Sequence, residues 1–245
     1  MSNLLSVFPR VILLAVTLLS PPHTLTGASG GTNFEKPTAD TSALAELWQA
    51  VGTVATVAPA KSGLVAFQQA SFTSKLPSNV SIGNHGISIA WPNKQRVVFR
   101  DFNPPLDESK MVNHSYRGMN VLTGLVWITR QRYEDLEQLL TSQASGRVFE
   151  VANEPSINRS GTLLFAKQNE CFVMTDECPP GFQLWRINKG ALKLLKEVRL
   201  QNYFVVSGGW ISATTVRVET ASLQDMMNGK RTADMKRQLF DVTVR

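Results

Sequence analysis

Histidines, cysteines and carboxylates are the side chains of this chain that could do chemistry, and their spacing sets narrow limits on it. The 245 residues hold three histidines: His23 near the amino terminus, then His85 and His114. A histidine metal site draws on two or three such ligands at local spacing. His85 and His114 lie far apart, with no His-x-Glu or Asp-x-Asp companion, so no metal ligand is designated. His85 falls in the turn formed by residues 83–86 and His114 in a polar stretch, and both are expected to face solvent. A Ser-His-Asp relay would need one of them as its base, yet residues 32–245 hold no Gly-x-Ser-x-Gly elbow, and Ser115 is a neighbour of His114 in sequence only. The carboxylates Asp101, Asp107, Glu108, Glu134, Asp135, Glu150 and Glu154 could converge into the acid pair of a glycoside hydrolase, but nothing in their spacing selects two of them. Neither a phosphate-cradling Gly-x-x-x-x-Gly-Lys loop nor a Gly-x-Gly-x-x-Gly turn is present, so no nucleotide cofactor is expected. The sequence designates no catalytic and no cofactor-binding residue.

The two cysteines, Cys171 and Cys178, precede Pro179-Pro180-Gly181. They lack the four ligands of a structural zinc site and the Cys-x-x-Cys spacing of a redox pair. In an oxidising compartment they close a short loop as a disulfide, which contributes about 2 to 3 kcal/mol by chain entropy. Between them lie Phe172, Val173 and Met174. Phe172 and Met174 are therefore candidate contacts for a partner, the alternative being that Phe172 folds back on the sheet. Of the tryptophans, Trp91, Trp127, Trp185 and Trp210 fall in or beside β-rich segments and are expected in the core, whereas Trp48 lies on a helix.

The elements that must position these residues begin with an address. Residues 4–19 are mostly apolar, and Pro21-Pro22 and a small-residue run at 27–31 follow. That pattern reads as a signal peptide over residues 1–28, because the apolar core is far below the ~20 residues needed to span a bilayer. Residues 29–40 read as a flexible leader, and 41–245 as a single β-rich domain with a possible sub-division near 141–146. A helix is expected from Asp40 or Thr41 to Gly52, with Leu44, Leu47, Trp48 and Val51 on one side. Strands are expected at 64–69, 86–91, 95–100, 121–130, 147–151, 162–167, 182–187, 191–200, 214–219 and 239–244. Residues 106–119 read as a polar connection, and 130–140 as a second helix placing Tyr133, Leu136, Glu137 and Leu140 on one side with its charges in solvent. Residues 222–238 read as a helical or irregular insertion, with Ser222 and Asp225 spaced like a capping box.

The order of features in Ser156-Ile-Asn-Arg-Ser-Gly-Thr-Leu-Leu-Phe165, Phe182-Gln-Leu-Trp-Arg-Ile187 and Gly209-Trp-Ile-Ser-Ala-Thr-Thr-Val-Arg-Val218 resembles a single blade of WD40-type or TolB-type β-propellers. Similar layouts occur in uncharacterised exported bacterial proteins. The resemblance covers residues 156–218, and no second copy of the unit is found in the sequence. The expected fold is mainly β, with antiparallel meander sheets, blade-like or packed as a sandwich, and a few short helices; a small degenerate propeller is the alternative. The formal charge of +6 clumps only at Lys230-Arg231 and Lys236-Arg237, without an aromatic-rich basic stripe, so nucleic acid is not an expected partner. These features together lead to an expected periplasmic or secreted binding module with a protein partner in the envelope and no transmembrane span in the mature chain. The alternative is an envelope glycan hydrolase using converging carboxylates.

Overall fold

A computed structural model describes residues 41–61, 66–92, 95–105, 107–133, 135–168 and 180–245. Contact density separates Met1–Pro37 from Thr38–Arg245, and every element below belongs to the second unit. In chain order these are α1 (Thr41–Val51), β1 (Ala55–Pro59), β2 (Gln69–Ala70), β3 (Val80–Gly83), β4 (Gly86–Ala90) and β5 (Arg96–Arg100). A 3-10 turn at Glu108–Lys110 leads to β6 (Val112–Asn120), β7 (Leu125–Arg132), β8 (Asp135–Ser142) and β9 (Val148–Val151). Then come β10 (Pro155–Asn158), β11 (Leu163–Gln168), β12 (Gly181–Asn188), β13 (Ala191–Arg199), β14 (Tyr203–Trp210), β15 (Thr215–Ser222), α2 (Leu223–Met227) and β16 (Arg237–Val244).

The strands form four antiparallel meanders, here numbered along the chain. Sheet I is β3-β4-β5 and sheet II is β6-β7-β8-β9; sheet III is β13-β12-β11-β10 with β2 at its edge, and sheet IV is β14-β15-β16 with β1 added beside β16. Each sheet buries a face against the next. Ile87, Ile89 and Trp91 of sheet I or its margin meet Val126, Ile128 and Leu139 of sheet II. On the opposite face of sheet II, Leu125 and Leu140 meet Leu164, Trp185 and Ile187 of sheet III. The other face of sheet III supplies Phe165, Phe182 and Leu184 to a third cluster with Trp210, Val218 and Phe240 of sheet IV, which Leu47 and Val51 of α1 complete. Burial on both faces is why the central strands carry unbroken apolar runs, Leu125 to Ile128 and Leu163 to Ala166, in place of alternation.

Sheet I alternates instead, whereas the outer face of sheet IV carries Phe204 and Ala221 in a small buried cluster with Met235. Sheet I presents Ser81, Ser88 and Arg96 outward, the last bonded to Ser88. On sheet IV the buried Arg217 pairs with Asp241 at 2.8 and 3.0 Å, and Thr215 lies beside Thr243 at 3.0 Å. Among the described residues no buried cluster joins sheet I to sheet IV. The chain is a four-sheet stack, and the mainly β, antiparallel expectation holds.

Several local expectations are corrected. Residues 130–140 are not a helix: Arg132 and Asp135 face each other across a tight turn in which Tyr133 takes φ 46°, and the segment is the β7-β8 hairpin. The charges read as a solvated helix side are cross-strand partners, Arg130 opposite Glu137, so tertiary pairing overrides the helical spacing. Residues 106–119 are not one connection, since β6 starts at Val112 and pairs with β7 along its length. Residues 121–124 are a turn ahead of β7, with Gly124 at φ 67°, and of the described residues 66–69 in the expected strand 64–69 only Gln69 belongs to a strand, Gln68 bonding through its backbone to Trp210 and Arg159. Helix α1 matches its expected span and stops at Gly52 with φ 59°, a left-handed conformation that glycine adopts freely. The 222–238 insertion holds α2 and a 3-10 turn, but the Ser222 side chain makes no capping bond. Trp91, Trp185 and Trp210 are buried, and Trp127 is half-buried with its indole N–H donating to Gln138 Oε1 at 2.7 Å. The stretch resembling one blade, 156–218, is divided between sheets III and IV.

Candidate functional site

Antiparallel alternation sorts the connections between two ends of the stack. At one end lie the tight turns 121–124, 143–147, 159–162, 189–190 and 211–214. They interlock: a Cβ on Gly161, at φ 71°, would stand 2.8 Å from Leu122 Cδ2 of the neighbouring sheet. Two fully buried asparagines hold them. Asn120 Oδ1 accepts from the N–H and hydroxyl of Thr123, and its Nδ2 donates to the carbonyls of Ala70 and Ser71. Asn158 Oδ1 accepts from Thr162 and Leu163 N–H, and its Nδ2 donates to the Ala213 carbonyl, tying sheet III to sheet IV.

The other end carries the short connections 84–85, 133–134, 152–154 and 200–202 together with the three longest of the chain's inter-strand connections, 101–111, 169–180 and 223–236. Cys171, Cys178, Phe172 and Met174 lie outside the described residues. The loop that carries them starts and ends on one register pair, Gln168 opposite Gly181. A hollow of about 710 Å³ between α1 and α2 also lies here, where Glu46 accepts from the N–H groups of Gln201 and Asn202.

A pocket of about 480 Å³ at this end gathers the ionisable groups. Its origin is a difference in strand length. On β7, Val126 and Ile128 are buried under sheet I; the same face then continues past the end of β5 as Arg130 and Arg132, while β6 places His114 opposite Arg130 and Val112 opposite Arg132. The chain leaving β5 crosses this overhang, with Phe102 and Val112 exchanging backbone hydrogen bonds at 2.8 Å. Asp101 fixes His114 twice: its Oδ1 accepts from the backbone N–H at 2.8 Å and from ring Nδ1 at 3.0 Å. With Nδ1 as the donor, Nε2 is the ring nitrogen without a partner. The imidazole lies against Phe99 at 5.5 Å and its side chain is 6% exposed, so His114 is not the solvent-facing loop residue expected from sequence. The burial depends on Asp101 and Phe99, which only the fold brings to it. His85 is exposed, as expected.

The carboxylates do not form an acid pair. Asp107 is held below its ordinary carboxyl pKa by the Lys110 ammonium, 2.7 Å away, and by the Ser109 hydroxyl. Glu137 bonds Arg130, which also reaches Glu150 at 3.5 Å, and Glu154 faces Lys167 at 3.6 Å. Ser109 spends its proton on Asp107 and so does not complete a relay with His114. Asp135 and Glu108 are exposed, and Glu134 lies outside the described residues. Among the described residues no three His, Cys, Asp or Glu side chains assemble as a metal site. Sequence reasoning missed Lys110, Arg130, Arg132 and Glu137. The available signal was the period-two series Val126, Ile128, Arg130, Arg132, a strand face passing from apolar to cationic.

Fold and site together define a stack of antiparallel meanders with an ionisable pocket at its long-connection end. No protein family, curated protein or solved structure matches the chain.

Proposed function

We propose that this protein is an exported binding module of the bacterial envelope, periplasmic or secreted, that engages a protein partner through the long-connection end of its stack. The observation that carries this reading is the asymmetry of the connections. One end is closed by short interlocked turns, while the other, beside short turns of its own, carries the three longest inter-strand connections, segments that a rigid scaffold is suited to display. The apolar segment 4–19 supports export, and among the described residues no helix is long and apolar enough to cross a membrane. Within that end the Cys171 to Cys178 loop supplies the apolar side chains Phe172 and Met174 as contacts.

Partner capture from an envelope extract tests the assignment. Replacing Phe172 and Met174 with serine is expected to reduce capture about tenfold or more with little change in the thermal transition, because exposed anchors act through binding. Val121→Ser, at the tight-turn end where Val121 is 75% exposed, is expected to leave capture unchanged. The reverse pattern would move the contact surface to the turns.

A further inference from the structure

We propose that the pocket beside His114 binds a small ligand carrying an oxyanion, a carboxylate or a phosphate, on an apolar body. This assignment is independent of the protein partner proposed above.

The composition of the wall carries the argument. Lys110, Arg130, Arg132 and His114 line the pocket together with Phe102 and Met111, and among the described residues no carboxylate does. The acidic groups that balance the cations stand behind them, Asp107 on Lys110 and Glu137 and Glu150 on Arg130, while Asp101 holds the His114 ring. They fix the side chains without filling the cavity. Each cation keeps donors in reserve. Arg130 uses Nε and Nη2 on Glu137, leaving Nη1 without a bond. Among the described residues Arg132 has only a 3.7 Å ion pair with Glu137, beyond hydrogen-bond distance, and its side chain is half-exposed. Lys110 has one carboxylate partner for three protons.

An oxyanion supplies the acceptors that these donors lack. Guanidinium groups bind carboxylate and phosphate through paired N–H bonds, and the Lys110 ammonium adds a point charge with free protons. The opposite wall accounts for the rest of the ligand. Phe102 is 55% exposed although large and aromatic, and Met111 and Val112 are half-buried beside it. An apolar body of a few carbons attached to the anion would cover them. The volume, about 480 Å³, is that of a small-molecule site.

Titration of the full chain with phenyl phosphate, benzoate, inorganic phosphate and uncharged benzyl alcohol tests this by calorimetry, with the imidazole nitrogens of His114 and His85 followed by NMR. At least one of the aryl anions is expected to bind at one site and shift the His114 resonances but not those of exposed His85. Phenyl phosphate alone would specify a phosphate ligand, benzoate alone a carboxylate ligand, and either result sustains the proposal. Inorganic phosphate is expected to bind about tenfold more weakly than the aryl anion, since it leaves Phe102 uncovered. Arg132→Gln, with Lys110→Gln as a second variant at another solvent-accessible cation, is expected to weaken the aryl anion about tenfold without moving the thermal transition. The proposal is overturned if neither aryl anion binds better than benzyl alcohol, or if both variants bind as the unaltered chain does.

Discussion

The two ends of the sheet stack solve opposite problems. At the tight-turn end, backbone groups freed by the hairpins are satisfied by buried amides, Asn120 and Asn158, and adjacent sheets meet through glycine and leucine with no space for a larger side chain. At the long-connection end, charges are paired across strands and the paired groups surround open space. The first arrangement fixes how sheets stack. The second tolerates variation, because most of its side chains retain contact with water and an exposed ion pair contributes little to stability.

If that contrast is right, stability should respond strongly at one end and weakly at the other. The largest expected effect is at Trp210, which is fully buried at the turn end of β14 and donates its indole N–H to the Ser156 carbonyl at 2.9 Å. Trp210→Ala should cost about 3 to 5 kcal/mol in chemical denaturation, through the cavity and the orphaned carbonyl. A loss under about 1 kcal/mol would mean that sheets III and IV are not held together at this point.

Next comes Asn158→Ala. It strands the N–H groups of Thr162 and Leu163 and the Ala213 carbonyl in a fully buried site, with an expected cost of about 2 to 3 kcal/mol. Urea unfolding measures it. A cost comparable to that of an ordinary surface change would show that water replaces the amide, and the turn end would lose its distinction.

The smallest effect is expected from Asp101→Ala at the pocket. Two donors of His114 lose their acceptor, but the site adjoins solvent, so about 1 kcal/mol is expected. The same variant should change the imidazole nitrogen resonances of His114. A stability loss equal to that of Trp210→Ala would place the pocket within the folding framework and erase the contrast between the ends.

The elements legible in the sequence were those whose pattern is local. Helix α1 repeats its buried residues Ala43, Leu47 and Val51 every four positions, and β4 alternates Ile87 and Ile89 with Ser88. The 130–140 hairpin was misread because Leu136 and Leu140 share a face at both helical and strand spacing, so periodicity could not choose between them. The likeness of two hairpin turns also escaped detection. Asn120-Val-Leu-Thr and Asn158-Arg-Ser-Gly close equivalent hairpins, but what they share is mainly the asparagine and its hydrogen bonds.

By itself the sequence determined the strand-rich class, the apolar face of β4 and helix α1, because each follows from which neighbours along the chain are apolar. It could not determine the pocket. Asp101 and His114 are brought together by the chain reversal after β5, and Arg130 lies opposite His114 only through the register of β6 with β7. Which sheet faces which, and how far β7 overhangs sheet I, was decided by packing between segments remote in sequence. The chemistry available to a histidine, an arginine or an aspartate depends on the groups that such packing sets beside it.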